Sequence, residues 1–136
     1  MSNDCFLFVY GTLLPWTTGS LGAAERARLS SECKLIGAAS MSGLLLDLGG
    51  YPGLVDGGEL VFGAVYELTG DAERTFAWLD AYEELSGHDG DEYRRIIKSV
   101  GLSCGRTLQA YVYVCTAAGG VRPLIASGVW SPSGNT

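Results

Sequence analysis

The chain has 136 residues, 47% of them apolar, 10% aromatic and 18% charged, with 20 glycines. That composition fits one turn-rich globular domain spanning residues 1–136 and excludes disordered or fibrous protein. Fifteen acidic residues against nine basic ones leave a net charge of −6, which works against partners bound by neutralising phosphates: no nucleic acid and no membrane is expected.

Met1-Ser2-Asn3-Asp4 carries no basic residue ahead of the first apolar run, so no secretory leader is expected. No apolar stretch has the length of a bilayer span. The expected location is cytoplasmic. Cys5, Cys33, Cys104 and Cys115 are scattered, with no CxxC pair and no neighbouring histidine. They spell out neither a zinc site nor a redox motif, and reduced, half-buried thiols are the expectation.

Cys5 to Tyr10 is a short apolar and aromatic run stopped by Gly11, which predicts a buried strand at the centre of a sheet. Ser20 is placed to cap a short helix whose Leu21, Ala24 and Leu29 recur near helical spacing. Cys33 to Leu48 reads as one or two strands broken around Ser40 to Gly43. Gly49-Gly50-Tyr51-Pro52-Gly53 reads as an irregular loop. Asp56-Gly57-Gly58 predicts a turn, Glu59 to Leu68 a strand, and Asp71 to Leu85 a helix with acidic residues in its first turn. Tyr93 to Val100 and Thr107 to Cys115 are paired as a hairpin across Gly101 to Gly105, so the sheet is largely antiparallel. Beyond about residue 117 the glycines and serines predict a partly irregular C-terminal segment.

Turning the Asp71 to Leu85 helix at about 100° per residue gathers Leu85, Trp78, Tyr82, Leu79 and Phe76 into one half-turn. Glu83 falls inside that arc, whereas Glu84 lies on the other side with Asp80, Ala77 and Glu73. A carboxylate on an apolar face must find a partner or take up a proton. Two readings stay open for Glu83: an ion pair with Arg94 or Arg95, or a position at the rim of the arc, on one hand, and a catalytic acid or base on the other. The second landmark is Tyr10-Gly11-Thr12-Leu13, where a buried strand ends and glycine lets the backbone turn. Amides exposed in such a turn suit a carboxylate or an oxyanion, although an ordinary strand end would look the same.

Taken in order along the chain, the motifs resemble those of the gamma-glutamylcyclotransferase family, in its AIG2-like and gamma-glutamylamine cyclotransferase branch. Phe8-Val9-Tyr10-Gly11-Thr12-Leu13 is similar to the family's opening strand and substrate loop, and Gly50-Tyr51-Pro52-Gly53-Leu54 to its glycine and proline turn. Val61 to Leu68 matches V-x-G-x-V-Y-x-L, and Leu79-Asp80-Ala81-Tyr82-Glu83 matches LDxxE. Tyr93-Arg94-Arg95 resembles the Y-x-R strand start, Ala110 to Tyr113 the A-x-x-Y strand, and Ile125 to Trp130 the terminal SGxW segment.

The resemblance implies an α+β fold, a small mixed, largely antiparallel β-barrel with flanking helices. It also implies an enzyme that releases 5-oxoproline and a free amine or amino acid from a small-molecule gamma-glutamyl substrate. By motif position Glu83 would be the proton acceptor, and the reaction so implied requires no cofactor and no metal. Tyr10, Gly11, Thr12 and Leu13 would hold the substrate's carboxylate or the developing oxyanion. Tyr93 and Arg95, two apart on a strand, share a face and would line the same cavity, with an ion pair to Glu83 or to an exposed carboxylate as the other reading of Arg95. Tyr51 is read as a wall of the pocket or a packing residue. Gly87 to Glu92 fails the calcium-loop pattern and reads as a solvated turn that could shape access to Glu83. The rival to the enzyme is a non-catalytic small-molecule-binding module of the same fold.

Overall fold

In a computed structural model, residues 5–16, 22–47, 52–82, 93–115, 124–125 and 127–129 are described. Apolar and β-branched runs form five strands: β1 (Phe6–Val9), β2 (Cys33–Asp47), β3 (Pro52–Leu68), β4 (Tyr93–Leu102) and β5 (Thr107–Cys115). Two helices are added, α1 (Ala23–Glu32) and α2 (Ala72–Tyr82). The strands close into a barrel in the order β1-β3-β2-β4-β5, antiparallel except where β1 meets β5 in parallel through Leu7 and Tyr111. Beta1, flanked on both sides, has the interior position expected of its unbroken apolar run.

Strand alternation sorts the core into two layers. Phe8, Tyr10, Met41, Leu45, Leu54, Val61, Val65, Val100 and Val112 belong to a cluster without helix residues, which fills the barrel. Leu7, Val9, Leu13, Leu14, Ala64, Tyr66, Tyr93 and Tyr113 point outward and pack with Leu29 of α1 and with Phe76 and Leu79 of α2. The helices are therefore held on one side of the barrel by the outward set of the same strands.

Beta2 runs unbroken through Ser40 to Gly43, where a break was expected, because β3 pairs with it along that whole length. Pro52 and Gly53 begin β3 instead of extending the loop, and proline is tolerated at the first residue of a strand. Asp56, Gly57 and Gly58 do not end a strand either. Gly43 pairs with Glu59 and Leu44 with Val55, so these three residues bulge from a continuous β3. In α1, Leu29 is buried but Ala24 is exposed, and the cap is Gly22 at φ 80°. Ser20 and Leu21 lie outside the described residues, as do Gly49 to Tyr51, Glu83 to Glu92 and most of the chain beyond Thr116.

The hairpin of β4 and β5 forms as expected and is turned by Ser103 to Arg106, with Gly105 at φ 98°. All four cysteines are free thiols; Cys33 is buried, Cys5 and Cys115 are partly buried, and Cys104 is exposed. Among the described residues no helix is long and apolar enough to cross a membrane.

Candidate active site

The chain leaves β1 through Tyr10 and turns over Gly11 to Leu14, closed by the Leu14 amide donating to the Gly11 carbonyl at 3.0 Å. Tyr10, Thr12 and Leu13 are all buried. Gly11 is needed for space rather than for a left-handed backbone, since its φ is not positive. A Cβ there would stand 2.6 Å from Cγ of Pro52, a ring atom that cannot swing aside. Pro52, from the start of β3, thus covers the turn, and its carbonyl accepts the Tyr93 hydroxyl at 2.6 Å.

Two helices brace the turn from the other side. Arg26 of α1 donates from Nη1 to the Thr12 carbonyl at 2.7 Å, and the hydroxyls of Thr12 and Tyr82 are 2.7 Å apart. Gly22, at φ 80°, allows α1 to begin this close: a Cβ on it would meet the Tyr82 hydroxyl at 2.7 Å. The side chain and the carbonyl of Thr12 are thus both engaged. Among the described residues no acceptor takes the backbone N–H of Thr12 or of Leu13.

The last turn of α2 is anchored to the barrel by Asp80. Arg95 donates from Nη1 to both Asp80 oxygens, at 2.7 and 2.8 Å, and Tyr113 donates its hydroxyl to Oδ1 at 2.6 Å. Arg95 and Tyr113 are opposite each other on β4 and β5, so one carboxylate receives both. The Arg95 guanidinium also lies over the Phe76 ring, 4.2 Å from its centroid, one helical turn before Asp80. Burial first, and then the hydrogen bond to Asp80, push the Tyr113 phenol far above its ordinary pKa, so it remains a donor. Its main-chain carbonyl accepts the hydroxyl of Tyr10. Among the described residues no three His, Cys, Asp or Glu side chains are grouped to hold a metal ion.

A family model for gamma-glutamyl cyclotransferase, AIG2-like, matches residues 7–132. The chain belongs to that family. Among solved structures it is similar to the Escherichia coli protein ytfP, with 31% identity over 92% of this chain and 95% of that one and a TM-score of 0.62. An AIG2-like protein from Mus musculus gives 22% identity, 87% and 81% coverage and a TM-score of 0.67. The structure of a gamma-glutamyl cyclotransferase gives 18% identity, 90% and 70% coverage and a TM-score of 0.61. The last two show the shared barrel fold. No curated protein matches the chain significantly. The family expected from the ordered motifs is thus the family found, and the closed barrel with flanking helices is its fold.

Within this AIG2-like barrel the expected residues Tyr10, Gly11, Thr12 and Leu13 form one buried turn. Tyr93 reaches it through Pro52. Arg95 shares the outward face with Tyr93, as expected, but its guanidinium is engaged by Asp80. Glu83, Tyr51 and the Gly87 to Glu92 segment lie outside the described residues.

Sequence reasoning missed Asp80, Tyr82, Tyr113 and Arg26 as parts of this site. The helical wheel puts Asp80 on the solvent side of α2, yet its side chain is only 30% exposed. At about 100° per residue it stands roughly 40° from Phe76, on the border of the apolar arc, and that border position was the available signal.

Proposed function

We propose that this AIG2-like protein cyclises a gamma-glutamyl compound, releasing 5-oxoproline and an amine or amino acid, with Glu83 as general acid and base. The observation that carries this reading is the buried turn after β1, with the adjacent amides of Thr12 and Leu13 given to no protein acceptor among the described residues. Tyr82, the last residue of α2, is bonded to that turn, and the next residue in the chain is Glu83. Family membership supplies the reaction class.

In that reading the substrate's alpha-ammonium gives a proton to the Glu83 carboxylate, which frees a nitrogen lone pair. The nitrogen attacks the gamma-carbonyl carbon of the same molecule, forming the ring C–N bond while charge gathers on the carbonyl oxygen. The turn amides hold that oxygen or the substrate carboxylate. The bond from the gamma-carbon to the leaving nitrogen then breaks. Glu83 returns its proton to that nitrogen, and the second proton of the attacking amine follows, so both hydrogens lost by one nitrogen end on the other. Tyr93 supports the turn through Pro52, and Arg95 acts through Asp80.

The test is to incubate wild type and Glu83→Gln with a panel of gamma-glutamyl amino acids and amines and to measure 5-oxoproline by mass spectrometry. Release by wild type with a loss of at least about 100-fold in the variant is expected. Equal release by both would move the proton acceptor elsewhere, with Glu84 next in line. Binding without release by wild type would instead make the chain a non-catalytic binding module.

A further inference from the structure

We infer that Asp80, Arg95 and Tyr113 form a positioning unit that holds the end of α2 in register with the anion-binding turn, an inference that rests on the reading of Glu83 as proton acceptor. Four observations converge on it. Asp80 lies three residues before Glu83 and receives three donor contacts from two neighbouring strands. Phe76, on the same helix, is capped by the same guanidinium, so Arg95 grips α2 at two successive turns. Tyr82, two residues past Asp80, is bonded to Thr12. Tyr113 holds both halves of the site, since its phenol ends on Asp80 while its carbonyl takes the hydroxyl of Tyr10.

The chemistry explains why such a unit matters. A general base acts only within hydrogen-bond reach of its proton, and a misplacement of about 1 Å can cost 100-fold in rate. The chain enters Glu83 from the end of α2, whereas the anion holder follows β1, so their separation depends on whatever ties those two elements together. The Asp80 pair is about 30% exposed on both sides, a setting in which an ion pair adds little stability by itself. Its consequence is then geometric, and it sets the turnover step more than substrate binding.

The experiment uses the full chain with Asp80→Asn, Tyr113→Phe and Arg95→Lys, each also combined with Glu83→Gln. The expected result is a fall in kcat of about 10- to 100-fold with KM held within about threefold. Tyr113→Phe, which keeps the ring and the carbonyl, should change the melting temperature by only a few degrees. On top of Glu83→Gln, the same substitutions should add less than about threefold, because they act through a residue already removed. Hydrogen exchange at the Leu14 amide, which closes the turn, and at the last turn of α2 should quicken together in Tyr113→Phe.

A kcat unchanged in all three variants, a change confined to KM, or a loss that tracks unfolding would overturn the inference. Full activity in Glu83→Gln would instead overturn the underlying reading of the base. In that case, or if wild type releases no 5-oxoproline, exchange decides: an unaltered rate at the Leu14 amide refutes the coupling, and joint quickening with the end of α2 upholds it.

Discussion

At the scale of single residues, the turn after β1 depends on an absence of atoms. Gly11 is packed against the Pro52 ring, and a methyl group there must displace a rigid neighbour. Gly11→Ala is therefore expected to destabilise the fold by about 1–3 kcal/mol and to lower kcat, checked by denaturant unfolding and by 5-oxoproline release. Tyr93→Phe removes the donor to the Pro52 carbonyl and is expected to cost about 1 kcal/mol in the same unfolding measurement. The sequence showed that a glycine was needed at this strand end but suggested a backbone reason, whereas the structural reason is a ring that arrives from a strand 41 residues later. Long-range contacts of that kind leave no local pattern. Asp80 was misread on similar grounds: the wheel sees only the helix, and the two donors that draw this carboxylate inward come from strands.

At the scale of elements, α1 and α2 are joined by a cluster centred on Glu32. Its carboxylate accepts from Arg28 at 2.7 Å, Thr75 at 2.9 Å and Trp78 at 3.0 Å, while the Arg28 guanidinium stacks over the Trp78 ring. The Arg28 hydrogen bond first, and then that of Trp78, hold the Glu32 carboxyl at about 2, below its ordinary 4.5. A depressed carboxylate pKa contributes stability above the ordinary value and loses it as the pH falls toward the folded one. Glu32→Gln is therefore expected to cost about 1 kcal/mol at neutral pH, a figure reduced for solvent screening. The gap between the two proteins should close as the pH falls from 4.5 toward 2, read from thermal midpoints across that range. Among the elements themselves, the strands and α2 were legible because their apolar runs and helical spacing are strong. The continuous β2 and β3 were not, since glycine and proline look like breaks until a partner strand is present to carry them.

At the scale of the whole molecule, the barrel is closed by seams of unequal length. Beta2 and β3 pair from Cys33 to Asp47, whereas β2 meets β4 through two residue pairs and β1 meets β5 through one. Native-state hydrogen exchange is expected to be slowest along the β2 and β3 ribbon and faster at the two short seams, with uniform protection as the contrary outcome. Closure itself was expected only from the family resemblance, because no stretch of sequence encodes which strands meet last. The long ribbon also carries the bulge of Asp56, Gly57 and Gly58, and beyond it come Leu54, in the barrel core, and Pro52, over the turn. Side chains alternate faces along a strand, so the bulge fixes the parity of everything beyond it. Changing its length by one residue would swap inside for outside at Leu54 and carry Pro52 off Gly11. Over evolutionary time this stretch should therefore accept new side chains freely while resisting any change in the number of its residues, so that a segment far from the chemistry acts as the ruler by which the site is measured.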